Sequence, residues 1–403
     1  MNSRARLMPY PRERALEHAA YTLEFVPTRI YSVLLPVWCV EVRAEVTEGE
    51  PYELIDRFLE RGIAEAELDT ADELASFFAL DPSLVRQALR FLHAIGHVKE
   101  SRGRIALTEL GHRSVRDKVR YTHTRQDRRK LYFDAFACRP LTRAHYDVRK
   151  VTFLSGDTAQ EALNRRDGPA LNVLSATRCF RREALSELAH NPDRDRYNLP
   201  ERIDNPESLH EDHVFMPTYI VRAVAPGGKV RHLVYTQAAD EVDDGLTAAC
   251  ETTPEVFGTL EAEEADAERQ DFQDRAARWL SARNLARYQP SRGEHGAWRV
   301  TIPGAGFGTG RGLPLTRLGS FVVLGTSFFH VWCADEDVRR RALVERIDSY
   351  LGARARIDRD AVEAQIARVS HQLGLATLRI GDLRRDAAGA GRRALADQLA
   401  RLM

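Results

Sequence analysis

The spacing of apolar residues changes several times along the chain, and each change marks an element. Trp38, Val40, Val42, Ala44 and Val46 alternate with Cys39, Glu41, Arg43 and Glu45, the two-residue repeat of a half-buried strand, within a β-rich stretch from Thr28 to Glu45. From Pro51 to Glu65 the spacing becomes helical: Leu54, Ile55, Phe58, Leu59 and Ile63 recur on one side, with Pro51 where a first turn tolerates it. Asp69 or Thr70 can cap a second helix carrying Leu74, Phe77 and Phe78. Asp81 followed by Pro82 starts a third, which Gly96 ends. In that third helix Leu84, Ala88, Phe91, Leu92 and Ile95 form the expected apolar stripe, leaving Ser83, Arg86, Gln87 and Arg90 on the outward face. His97 to Glu100 and Arg104 to Leu107 then flank Ser101, Arg102 and Gly103, the composition of a short hairpin, and Thr108 with Glu109 opens a fourth helix.

Farther on, Val214 to Val224 and Val230 to Gln237 read as strands joined at Pro226 to Lys229, Glu261 to Asn284 as a helix, and Trp298 to Ile302 as a strand before a glycine-rich loop. Leu318 to Ala334 is a run of 17 uncharged residues, short for a membrane span and interrupted by glycines, so it reads as one or two buried strands. Asp335 to Leu351, Asp358 to Leu373 and Ile380 to Leu402 are three helical stretches. The expected fold class is α+β multidomain: a β-rich segment over 1–50, a helix-and-hairpin domain over 51–120, a basic linker over 121–150, a mixed α+β domain over 151–334 and a helical C-terminal region over 335–403.

Three helices, a two-stranded hairpin and a further helix within about 70 residues resemble the winged helix-turn-helix family. The resemblance covers Pro51 to Lys118 and includes the Leu-Thr-x-x-Gly junction, here Leu107, Thr108, Glu109, Leu110 and Gly111. It implies that Ser83, Arg86, Gln87 and Arg90 read double-stranded DNA in a major groove, while Arg102 and Arg104 of the wing follow the minor groove or the phosphates.

Charge sharpens this picture. The 403 residues carry 59 basic and 59 acidic side chains, which excludes a uniformly basic nucleic-acid coat, so any polyanion contact must come from local segregation. Between Lys99 and Lys150 there are 15 basic residues against six acidic ones, whereas Asp240 to Gln270 holds 11 acidic residues and one Arg. In the basic stretch Lys118, Arg120, Arg125, Arg128, Arg129 and Lys130 are candidate phosphate contacts, with Tyr132, Phe133 and Phe136 just beyond. The acidic stretch is a candidate mask that folds back on them, with Glu261, Glu263, Glu264 and Glu268 as its charges. Only five of the 59 basic residues are Lys, a bias that points to a GC-rich bacterial genome.

Enzymatic signatures are weak. Cys39, Cys138, Cys179, Cys250 and Cys333 stand singly, without a C-x-x-C pair, which fits a reducing cytoplasm and not a zinc ribbon; the charged first twenty residues contain no signal-peptide core. Gly304, Gly306, Gly308, Gly310 and Gly312 match neither a dinucleotide fingerprint nor a phosphate loop, and a flexible loop is expected, with Arg311 as its one anion-binding candidate. His210, Asp212, His213 and His232 are the best metal candidates, since His210 and His213 would share a face if helical, but an exposed polar loop is the better account. His97 and Lys99 lack the Asp that a phospholipase D-type motif needs, and no Gly-x-Ser-x-Gly elbow occurs. No catalytic residue, metal or cofactor is assigned. The expected function is a cytoplasmic DNA-binding regulator or DNA-associated component of a bacterial assembly. The alternative is an interaction subunit, for example of a multiprotein defence system, that uses the winged helix to dock a protein partner or a second copy; an enzyme with an unrecognised centre in the C-terminal half is the third reading.

Overall fold

Helix α1 (Arg12–Tyr21) buries Ala15, Leu16 and Ala19 and leads into one 25-residue strand, β1 (Val26–Glu50), longer at both ends than its alternation predicts. In this computed structural model residues 7–164, 171–175, 178–197, 199, 202–269, 272–293, 296–308, 312–354 and 358–403 are described. The chain is α+β and divides into two units: Met1–Pro36 with Asp147–Thr177 and Val214–Met403, and Val37–Tyr146 with Arg178–His213.

In the second of these units the later part of β1 pairs antiparallel with β4 (Arg120–Asp134), Val40 opposite Leu131 and Val42 opposite Arg129. Between the two strands lie α2 (Leu54–Glu65), α3 (Ala71–Phe78), α4 (Pro82–Ala94), the antiparallel hairpin β2 (Val98–Ser101) and β3 (Arg104–Leu107), and α5 (Glu109–Asp117). Their starts are written in the sequence. Thr70, Asp81 and Thr108 accept from the backbone N–H of Glu73, Ser83 and Gly111, satisfying donors that a helix leaves unpaired. Leu59, Leu74, Val85, Leu89, Leu92, Val98, Ile105 and Leu107 close into one core, each fully buried Leu or Val contributing about 1.5 to 3 kcal/mol. A second cluster joins Val40, Val42 and Ala44 of β1 and Leu131 and Phe133 of β4 to Leu185 and Leu188 of α7 (Glu183–Ala189).

Two expectations are corrected in this unit. The buried row of α4 is Val85, Leu89 and Leu92, whereas Leu84 and Phe91, assigned to the apolar stripe, are 38% and 42% exposed. Adjacent rows of the helix are both apolar, and α3 and the hairpin select the row one residue along. The first half of the basic "linker", to Asp134, is strand β4: Lys130 stands opposite Glu41, Arg129 Nε donates to Asp127 Oδ2 at 2.8 Å, and the alternate Leu131 and Phe133 are buried. Polar alternation suffices for a strand whose other face is covered.

In the other unit the first part of β1 pairs in parallel with β5 (Asn172–Val173), after α6 (Gly156–Leu163). The last residues of β6 (Arg202–Val224) pair antiparallel with β7 (Val230–Tyr235) through a turn with Gly227 and Gly228 at positive φ. Then come α8 (Asp244–Glu251), α9 (Pro254–Arg269) and α10 (Phe272–Ser281), the last two where a single helix over Glu261 to Asn284 was expected. β8 (Ser291–Arg292), β9 (Trp298–Thr301), β10 (Phe321–Leu324) and β11 (Ser327–Trp332) form a sheet in the order β10-β11-β9-β8, so the uncharged run is a β-hairpin. Helices α11 (Glu336–Gly352), α12 (Arg359–Gln372), α13 (Ile380–Gly389) and α14 (Arg393–Ala400) pack around Leu343, Ile347, Ile366 and Leu383. The expected third C-terminal helix is split where Gly391 adopts φ 74°, a left-handed stop.

The glycine run is closely packed at Gly304, Gly306 and Gly312 but open at Gly308: a Cβ on Gly306 would collide with Ile302, and one on Gly312 would lie 2.5 Å from the Gly306 carbonyl. Gly310 and Arg311 lie outside the described residues, as do the side chains of Glu263, Glu264, Glu268 and Arg125. His210 and His213 sit on strand β6, where a spacing of three points them to opposite faces, not to one. The His213 ring lies 3.7 Å from that of Trp38, and His232 on β7 packs 4.8 Å from Phe257. Among the described residues no group of three His, Cys, Asp or Glu side chains could hold a metal ion.

Candidate nucleic-acid interface

With Val85, Leu89 and Leu92 turned inward, the 3.6-residue repeat of α4 places Ser83, Arg86, Gln87 and Arg90 in one sector of about 100°. All four side chains are exposed. The hairpin beside them turns at Arg102, with φ 53°, and Gly103, with φ 76°, and exposes Arg102 and Arg104. Arg86, Arg90 and His93 of α4 line one cavity of about 380 Å³ with Glu100 and Gly103 of the hairpin, over a floor of Leu89, Val98 and Ile105. Helix and hairpin therefore border a single groove.

The arginines of this surface are held to different degrees. Arg104 Nη1 bonds Asp69 Oδ2 at 3.0 Å, and Arg86 Nη1 stands 3.8 Å from Asp72 Oδ1. Arg90 and Arg102 have no carboxylate within ion-pair distance among the described residues. The pleat divides the basic run of β4: Arg128 and Lys130 are exposed, while Arg129 turns to Asp127. The run is thus not a continuous cationic strip.

A buried polar network, not legible in the sequence, fixes the frame that carries α4. His97 is fully buried, with Nδ1 facing the Glu60 carboxylate and Nε2 the Tyr121 carbonyl. Tyr52 donates to Glu60 Oε2 at 2.5 Å, and Ser114 Oγ lies 3.3 Å from His97 Nε2. Arg120 donates to Asp56 Oδ2 at 3.0 Å and Glu50 Oε2 at 2.7 Å, with its guanidinium 5.2 Å from the Phe91 ring centre. Burial alone would lower the Arg120 pKa, but the bonds to Glu50 and Asp56 outweigh it and hold the group above its ordinary value. His97 and Glu60 are 37 positions apart, so no local pattern announces their pairing.

On α2 and α3, Leu54 is 68%, Phe58 42% and Phe77 62% exposed, and Phe78 links the two aromatic side chains with ring centres 5.9 and 4.9 Å away. This apolar stripe was also missed, because Phe58 and Phe77 fit the helical core pattern.

Comparison of the chain with protein-family models, with curated proteins and with solved structures returns no significant match. Among the described residues no helix is long and apolar enough to cross a membrane.

Proposed function

We propose that the chain is a cytoplasmic winged-helix protein that binds double-stranded DNA, as a regulator or a DNA-associated component of a bacterial assembly. The observation that carries this reading is the single groove bordered by Arg86 and Arg90 of α4 and by the β2–β3 hairpin. A guanidinium matches the O6 and N7 acceptors of guanine with two parallel bonds, and the Gln87 amide matches the N6 and N7 edge of adenine. Ser83 suits either a base edge or a phosphate. Arg102 and Arg104 reach the minor groove or the backbone, and Arg128 and Lys130 contribute phosphate contacts that set affinity without reading sequence. No step of bond chemistry is required of any residue. Filter binding of the full chain to random duplex DNA across a salt series tests the reading. It expects log affinity to fall linearly with log salt, and absence of binding at low salt contradicts it.

The exposed stripe Leu54, Phe58 and Phe77 favours a second reading, in which the same module docks a protein. A partner held by apolar burial stays bound at high salt and is released by Leu54→Ser with Phe77→Ser; DNA held by phosphate contacts behaves in the opposite way.

A further inference from the structure

The unit that contains α1 and the C-terminal helices has a polar cavity of its own, about 620 Å³, walled by α1, α11, α12 and residues 316–320. Its charged residues divide by element. Glu13 and Glu17, one turn apart on α1, supply the acidic groups; Arg346 of α11, Arg368 of α12 and Arg317 supply the cations.

Arg346 is fixed by neutral partners. Nη1 donates to Gln372 Oε1 at 2.8 Å, and Nη2 donates to the carbonyls of Thr316 at 2.8 Å and Leu318 at 2.5 Å. Arg368 Nη2 donates to the Gln365 amide oxygen at 2.8 Å. Among the described residues no carboxylate lies within 4.0 Å of either guanidinium, although Glu17 is close enough to feel both. Burial pushes the Glu17 carboxyl above its ordinary range against the pull of Arg346 and Arg368, and burial lowers Arg346. One turn beyond Glu17, the Tyr21 hydroxyl donates to the Gly319 carbonyl at 3.0 Å and lies 2.9 Å from His330 Nε2, fastening residues 316–320 to α1.

Charges of both signs therefore face one cavity, Glu13, Glu17 and Arg346 half-buried and Arg317 and Arg368 exposed, with no carboxylate within 4.0 Å of Arg346 or Arg368 among the described residues. Half-buried charges held apart in this way gain from a partner that reaches both. A simple anion here would sit beside two carboxylates, and a simple cation beside three guanidiniums. A molecule carrying both charges satisfies both sets. We propose that this cavity binds a small zwitterion of the α-amino-acid class, its ammonium donating to Glu13 and Glu17 and its carboxylate accepting from Arg346 and Arg368.

The test is thermal unfolding and titration calorimetry of the full chain with each free L-amino acid singly. Any amino acid that binds is followed by its N-acetyl and methyl-ester forms, which remove one charge each. The proposal expects at least one amino acid to raise Tm, with each blocked form binding about tenfold more weakly or worse, and with Glu17→Gln and Arg368→Gln causing losses of the same order. A dipeptide beginning with the same residue separates the two sources of such a zwitterion. Equal binding assigns a peptide, and weaker binding the free amino acid. No binding by any amino acid overturns the proposal, as does binding that survives both blocked forms. If either variant fails to fold, the blocked forms decide alone.

Discussion

Arg120 is buried and Arg346 half-buried, and they are completed in different ways. Arg120 closes on two carboxylates, Asp56 at 3.0 Å and Glu50 at 2.7 Å, and its pKa stands above the ordinary value despite burial. Arg346 donates to one amide and two carbonyls, and burial leaves its pKa below the ordinary value. A cation already neutralised has nothing left to attract and serves the fold. A cation held by neutral dipoles keeps its charge available to a ligand. The groove beside α4 holds a milder form of this division: Arg104 and Arg86 share their charge with the solvent-exposed pairs to Asp69 and Asp72, which DNA can displace, while Arg90 and Arg102 have no carboxylate partner among the described residues. On this account partner chemistry, and not position in the sequence, separates structural arginines from binding arginines.

The largest effect is expected at the closed site. Arg120→Leu leaves Asp56, 5% exposed, without its cation, and should destabilise the chain by about 3 to 5 kcal/mol in urea unfolding. Adding Asp56→Leu should recover much of that loss; a single variant as stable as the wild type would break the comparison at its root.

The next effect lies behind the open site and depends on pH. Burial, reinforced by Arg299, lowers the His330 pKa to about 3 from an ordinary 6.5. The native ring stays neutral while the unfolded ring takes up a proton below 6.5. Its contribution is therefore complete above pH 6.5 and is lost as pH falls toward 3. Between pH 7 and 5 this amounts to about 2 kcal/mol. Urea midpoints for His330→Gln should accordingly fall less over that interval than those of the wild type, and parallel falls would exclude His330 as a source of acid sensitivity.

Smaller changes belong to DNA binding. Arg128→Gln with Lys130→Gln should flatten the slope of log affinity against log salt by about 0.9 for each phosphate no longer neutralised, with sequence preference unchanged. Asp69→Asn with Asp72→Asn, which releases Arg104 and Arg86 from their partners, should tighten duplex binding by about two- to fivefold at low salt and hardly at all at high salt. Weaker binding in that variant would show that the two aspartates position the arginines instead of competing for them.

What the sequence disclosed follows from the range of the interactions involved. The starts of α3, α4 and α5 were legible because Thr70, Asp81 and Thr108 cap donors two or three residues away. The outward set Ser83, Arg86, Gln87 and Arg90 was legible from helical period alone. Which apolar row of α4 turns inward was not, since Leu84 and Val85 are equally apolar and tertiary packing makes the choice. β4 was hidden because its outer face is charged, and its pairing partner in β1 lies far back in the chain, Arg128 opposite Arg43. The cavity of Glu17, Arg346 and Arg368 had no local trace, for it gathers α1 with helices more than 300 positions later.

Duplex binding by the double variant Arg86→Ala and Arg90→Ala, followed across a salt series beside the wild type, tests the central claim most directly. If the arginines of α4 read DNA, the folded variant should lose about thirtyfold or more in affinity for a preferred duplex, each base contact carrying about 1 to 3 kcal/mol, while a shallow non-specific component remains. A correctly folded variant that binds the same duplex as tightly as the wild type at every salt concentration would contradict the account.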